Sequence, residues 1–169
     1  MTSPQSAKEN HLHLEWQHAV QAYLAEHPKA RAIDIAAATG CTEAYALSFL
    51  SDQAWQIPAT DSSKVLAEIK KWARVMALIR NGDAVAEVEV PGNIWYVNGD
   101  WLNWIDDEYN LHIRLAATVQ ILALIRPGKQ GPTYSFNLVN QAGQVFCRFY
   151  ARTATDKRRF KNFCASYQK

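Results

Sequence analysis

The sequence predicts an α+β fold with an antiparallel sheet, because the spacing of its apolar residues changes twice along the chain. Up to about Val75 they recur every three to four positions, from there to about Ala151 they alternate, and after Thr155 the helical spacing returns. Runs of one element type followed by runs of another segregate helices from an antiparallel meander. The expected order is an N-terminal helical segment of helix-turn-helix type, a large antiparallel sheet of about seven strands, and a C-terminal helix.

Taken in order, residues 1–10 are polar and read as a disordered tail. From His11 to Glu26, Trp16, Val20, Tyr23 and Leu24 fall on one helical face, and Pro28 breaks that helix. "ARAIDIAAATGCTEAYALSFL" (Ala30 to Leu50) reads as a helix, a turn at Gly40 and a second helix capped by Thr42. Residues 51–62 read as a polar connection. "SSKVLAEIKKWARV" places Val65, Leu66, Ile69 and Trp72 on one face of a further helix. Residues 11–74 thus form a helical segment expected to pack on the sheet. Residues 75–169 supply the sheet and the last helix, in one composite domain.

Strands are expected near 75–80, 84–90, 93–98, 109–115, 119–126, 133–139 and 145–151. "RVMALIRNGDAVAEVEV" (Arg74 to Val90) carries an Asn-Gly pair between two apolar runs, a hairpin signal because both residues tolerate positive φ. "VNQAGQV" marks a second hairpin. In "TDKRRFKNFCASYQ", Phe160, Phe163, Cys164 and Tyr167 return to helical spacing.

Bulk properties exclude several classes. The 169 residues are 49% hydrophobic and 20% charged with a net charge of +2, too small to argue for nucleic acid or an anionic membrane surface. The three cysteines, Cys41, Cys147 and Cys164, are too widely spaced for a zinc knuckle or a disulfide framework and suit a reducing compartment. No signal peptide is read, and no apolar stretch approaches the ~20 residues of a membrane span. The expected location is the cytoplasm. The second helix of the helix-turn-helix, "CTEAYALSF", holds no Lys or Arg, so no nucleic-acid partner is expected.

A metal site built from His11, His13, His18 and His27 would need converging carboxylates or cysteines, and none is expected there. His112 differs. In "YNLHIRL", alternation puts Leu111, Ile113 and Leu115 on one face and Asn110, His112 and Arg114 on the other, roughly 7 Å between successive same-face residues. The guanidinium beside it disfavours a second positive charge, and neutral imidazole is the form that binds a metal. A histidine on the solvated face of a half-buried sheet is the alternative. Asp106, Asp107 and Glu108 read as a solvated acidic loop without calcium-loop spacing. No hydrolase, zinc-protease or phosphate-loop motif is present.

"RVMALIRNGDAVAEVEV", "HPKARAIDIAAATGCTEA" and "NLHIRLAATVQILALIRPGKQGPTYSFNLVNQAGQVFCRFY" together resemble the bacterial cytosolic heme-utilisation proteins, over residues 20 to 155. One branch, HemS/HmuS-type, carries two tandem copies of this unit. The other, ChuX/HutX-like, carries one copy per chain and pairs as a homodimer, and the length here is similar to that branch. The resemblance implies a large antiparallel sheet with flanking helices, and heme as the cofactor. It further implies heme transfer or storage with heme-delivering or heme-receiving proteins as partners, or alternatively heme degradation, or a dimeric interaction domain with a degenerate heme site.

The resemblance also implies site residues. Tandem relatives have an iron-ligating histidine just after R-N-x, where this chain has Asp83, a weak donor to heme iron. Single-copy relatives have a histidine in a G-H-I-K strand, which His112 matches in "LHIR", and another near the end of the first strand, where this chain has Arg80. His112 is therefore the expected axial ligand, with Tyr96 or Tyr109 as alternative donors. Trp95, Tyr96, Trp101 and Trp104 are expected walls for the flat porphyrin, with core or dimer contact as the competing role. Arg80, Arg114 and Lys129 are expected to meet its propionates.

Overall fold

The computed structural model describes residues 4–81, 83–105, 107–108 and 110–167, with side chains from residue 11 onward. The chain divides into two compact units, Met1–Leu50 and Ser51–Lys169.

The first unit is helical. Helix α1 spans Pro4–Glu26. It opens on a proline, whose missing N–H is no loss in a first helical turn. Helical backbone thus begins at Pro4. Helix α2 (Ala32–Thr39) ends at Gly40, which adopts a left-handed conformation with φ 73°. Helix α3 (Glu43–Phe49) starts at Thr42, whose hydroxyl accepts the Tyr45 N–H at 3.1 Å. The expected helix-turn-helix is present. Tyr45 on α3 joins it to α1, with ring centroids 5.1 Å from His13 and 5.2 Å from Trp16.

The second unit begins with strand β1 (Gln53–Pro58), a segment expected as a polar connection. Trp55 and Ile57 are its buried alternate residues, and only these two apolar positions mark it as a strand. Helix α4 (Ser62–Ile69) follows, burying Val65, Leu66 and Ile69. Trp72 lies beyond its end, stacked on Phe136 at 5.6 Å. These side chains share one apolar cluster with the strands.

Among the described residues nine strands are observed where about seven were expected. Strands β2 (Arg74–Arg80), β3 (Val85–Pro91), β7 (Gln120–Arg126), β8 (Thr133–Val139) and β9 (Val145–Ala151) join β1 in a six-stranded antiparallel sheet of order β1-β7-β8-β9-β2-β3. Strands β4 (Trp95–Asn98), β5 (Trp101–Ile105) and β6 (Asn110–Arg114) form a separate antiparallel sheet. The expected single sheet is thus two.

The β2–β3 connection is built by Asn81. Its side-chain oxygen accepts the backbone N–H groups of Asp83 and Ala84 at 2.9 and 2.8 Å, and its own N–H reaches the Ala84 carbonyl. Such side-chain mimicry of a backbone turn suits asparagine. Gly82 lies outside the described residues. Gly92, just after β3, is fixed by sterics. A Cβ there would stand 2.7 Å from the Ile69 carbonyl oxygen and closer still to that of Trp72.

Helix α5 (Ala154–Cys164) closes the unit. Thr153 caps it by accepting the Asp156 N–H at 3.1 Å, and its hydroxyl donates back to the Asp156 carboxylate at 2.7 Å. Phe160 and Cys164 are fully buried against the six-stranded sheet's apolar face. Leu102, Trp104 and Ile113 bring the three-stranded sheet onto the same core. Burying side chains of this size contributes roughly 1.5–3 kcal/mol each.

Candidate functional site

The three-stranded sheet is organised by a two-residue turn. Asn98 pairs with Trp101, leaving Gly99-Asp100 between them, and Gly99 has φ 55°. Glycine at the first central position is what a tight hairpin of this kind requires. The Leu115 N–H donates to the Asp100 carbonyl at 2.8 Å, tying the end of β6 to this turn.

Register then fixes which side chains share a face. Tyr96, Asn103 and His112 form one row across β4, β5 and β6, and Asn98, Trp101 and Arg114 form the next. Strand alternation points both rows away from the core. The intervening Leu102, Trp104 and Ile113 are buried. The expected division of β6 is therefore present, with His112 and Arg114 exposed on one face and Ile113 buried on the other.

On the outward face lies an open hollow of about 410 Å³, lined by Asn98, Trp101, Asn103 and His112. This is within the usual range for a small-molecule site. His112 Nδ1 lies 2.6 Å from Asn103 Oδ1, and Asn103 Nδ2 donates to the Trp101 carbonyl at 3.1 Å. Trp101 is 45% exposed and Tyr96 49%. Both leave aromatic surface uncovered on the face that carries the imidazole. Arg114 stands 3.9 Å from Asp100, with both side chains 60% exposed. So long and solvated a pair is worth little and leaves the guanidinium able to exchange its partner.

The structure brings only some of the expected residues together. His112, Trp101, Tyr96 and Arg114 share the outward face. Trp104 does not: it is fully buried on the opposite face, its Nε1 donating to the Pro91 carbonyl at 3.1 Å and its ring 5.4 Å from Phe149. Trp95 pairs with Trp104 and shares its face, with Lys70 Nζ 5.0 Å from its ring centroid. Both tryptophans lie on the face opposite His112, because strand period puts them one residue out of phase with it. Arg80 ends β2 in the other sheet and donates from Nε to the Val145 carbonyl at 3.0 Å. Lys129 lies in the β7–β8 connection, bridged to Gly131. Neither borders the hollow. Asp83 sits in the β2–β3 turn, and Tyr109 lies outside the described residues.

Asn103 was not anticipated from the sequence. The signal was available: Gly99-Asp100 between "WYVN" and "WLNWI" is a hairpin dipeptide. Reading it would have placed Asn103 two residues from Trp101, on the same face. Elsewhere in this unit, burial pushes the Cys164 thiol up to about 12 and raises that of Cys147 further. Among the described residues, no group of three or more His, Cys, Asp or Glu side chains converges as a metal site, and no helix is long and apolar enough to cross a membrane.

Comparison with known proteins places this geometry in a lineage. Protein AGR_C_4470 from Agrobacterium tumefaciens is 22% identical, with a TM-score of 0.73 covering 99% of each chain. The heme binding protein ChuX is 16% identical, with a TM-score of 0.71 over 87% of this chain and 97% of its own. The heme degrading enzyme ChuS of Escherichia coli O157:H7 is 18% identical, with a TM-score of 0.75 over 92% of this chain but 47% of its own, so this chain spans about half its length. At these identities the likeness is one of fold. No curated protein matches at the sequence level. The model of the haem utilisation ChuX/HutX family matches residues 55–166, a stretch that runs from within β1 through both sheets, the hollow and helix α5, and on that match the chain belongs to the ChuX/HutX haem utilisation family.

Proposed function

We propose that this chain binds heme on the outward face of its three-stranded sheet and passes it on, as a cytoplasmic carrier. The supporting observation is His112, an exposed imidazole whose Nε2 has no protein partner among the described residues, beside a hollow walled by Trp101. A heme site needs an axial donor, flat apolar walls and cations at its rim. His112 supplies the first, Trp101 and Tyr96 the second, and Arg114 the third. Bound heme supplies the iron that makes the imidazole a ligand. Every other contact in this reading is one of shape and charge.

A single histidine on a surface open to solvent favours release over retention, which is what transfer to another protein demands. The partners in this reading are heme-delivering and heme-receiving proteins, and a second copy of the chain as a homodimer. Hemin titration followed by absorbance tests it. The wild type gives a Soret band, whereas His112→Ala gives a weaker band and loses heme faster to apomyoglobin. A wild type that fails to bind hemin at micromolar concentration would overturn the reading in favour of an interaction domain.

The likeness in fold to ChuS, a heme degrading enzyme, supports a second reading, oxidative breakdown of the porphyrin. Adding a reductant under air separates the two. A carrier keeps its tetrapyrrole intact, while loss of the Soret band with a biliverdin-like product identifies the enzyme.

A further inference from the structure

We propose that Asn103 is a positioning residue, which holds the neutral imidazole of His112 with its proton on Nδ1 and so presents Nε2 as a ready metal donor. The proposal rests on the reading of His112 as the heme ligand and assigns a residue that this reading leaves out.

The orientation of the Asn103 amide decides the matter. One end of it faces the Trp101 carbonyl and the other faces His112 Nδ1. A backbone carbonyl only accepts hydrogen bonds, so the end beside Trp101 is the NH₂ group, donating at 3.1 Å. The end beside His112 is then the amide oxygen, also an acceptor. At 2.6 Å it requires a proton on Nδ1. A neutral imidazole carries one proton, so Nε2 keeps its lone pair. The chain of dependence runs from the backbone of Trp101, through the amide, to the metal-binding edge of the ring.

The surroundings make this arrangement firm. Asn103 is on the central strand β5, only 6% exposed, with Tyr96 and His112 as its register partners. His112 is on the edge strand β6 and exposed, so its ring has little packing of its own to fix it. The hydrogen bond that the exposed ring donates to the amide oxygen on the central strand orients the metal ligand at small entropic cost. The chemistry of the acceptor also matters. An amide oxygen polarises the Nδ1–H bond less than a carboxylate does, so the ligand is oriented without being made a strong electron donor. That suits cargo that must leave.

The tautomer is measurable without heme. Long-range ¹⁵N–¹H correlation spectra of the metal-free protein should show the His112 proton on Nδ1, and Asn103→Leu should give a mixture of the two tautomers. In the hemin complex, Asn103→Leu should speed heme loss to apomyoglobin by about 10-fold or more, the usual scale for an outer-shell partner. Asn103→Asp, with a stronger acceptor at the same place, should slow heme loss and lower the iron reduction potential, whereas Asn103→Leu should raise it. Opposite shifts from two substitutions at one site are not produced by loosened packing.

A wild-type His112 with its proton on Nε2 would overturn the proposal, as would shifts in the same direction from both variants. Heme binding unaffected by His112→Ala would instead remove the ligand reading, and the spectra of the metal-free protein would still decide the role of Asn103.

Discussion

The Tyr167 phenol donates to the Asp61 carboxylate at 2.8 Å, joining the segment after α5 to the start of α4. Lys64 holds the other oxygen of the same carboxylate at 2.9 Å. The hydrogen bond from Lys64, and then that from Tyr167, lowers the Asp61 carboxyl below its usual range. Burial, reinforced by Asp61, pushes the Tyr167 phenol up to about 12.

These shifts act at opposite ends of the pH scale. The depressed Asp61 favours the folded state above the unfolded carboxyl value of about 3.9 and loses that contribution as pH falls through its folded value. The raised Tyr167 contributes fully below the unfolded phenol value of about 10 and loses its contribution as pH rises towards 12. Tyr167→Phe should lower the urea midpoint at pH 7, and the gap from wild type should narrow between about pH 10 and pH 12. Denaturation curves across that range check this, and a gap independent of pH would refute it.

Gly92 and Gly40 should respond to alanine for different reasons. At Gly92 the added methyl meets the backbone carbonyls of Ile69 and Trp72, which cannot turn aside, and the expected cost is about 2–3 kcal/mol. At Gly40 the methyl meets nothing within 4 Å, but φ is 73°, and the cost is about 1 kcal/mol. Chemical denaturation ranks the two variants, and the larger loss belongs to Gly92→Ala.

Trp101 and Trp104 lie three residues apart and should separate binding from folding. Trp104→Ala removes a fully buried indole and leaves the Pro91 carbonyl without its donor, costing about 3–5 kcal/mol. Trp101→Ala should leave stability within about 0.5 kcal/mol and weaken hemin binding. Paired denaturation and hemin titrations check both, and a Trp101→Ala protein with unchanged hemin affinity would remove that ring from the site.

Cys147 and Cys164 should be silent towards alkylating reagents in the folded protein. Both are fully buried and both thiols are raised, so almost no thiolate is present at pH 8. Mass spectrometry after brief iodoacetamide treatment should find both unmodified, and both should label once urea unfolds the chain.

What the sequence made legible depended on how local the governing interaction is. The β2–β3 hairpin and the two faces of β6 are written in residues at most a few positions apart, so pattern alone located them. Strand β1 could not be read that way, since only Trp55 and Ile57 mark it, and its place comes from pairing with the distant β7, Gln53 opposite Ile125. Strand β5 was missed because "WLNWI" has apolar residues on both sides, Trp101 and Ile105 outward, Leu102 and Trp104 inward. Without the Gly99-Asp100 turn fixing its phase, four tryptophans and tyrosines in one segment look like one wall. The structure sorts them onto two faces, and only one of those faces carries His112.

That sorting has an evolutionary corollary. In β5 and β6, positions that face outward and positions that fasten the sheet down interleave one by one. Descendants can exchange every second residue on the outward face while the scaffold stays anchored. Inserting or deleting a single residue in either strand would swap the two sets at once, so this surface can drift by replacement but is closed to change in length.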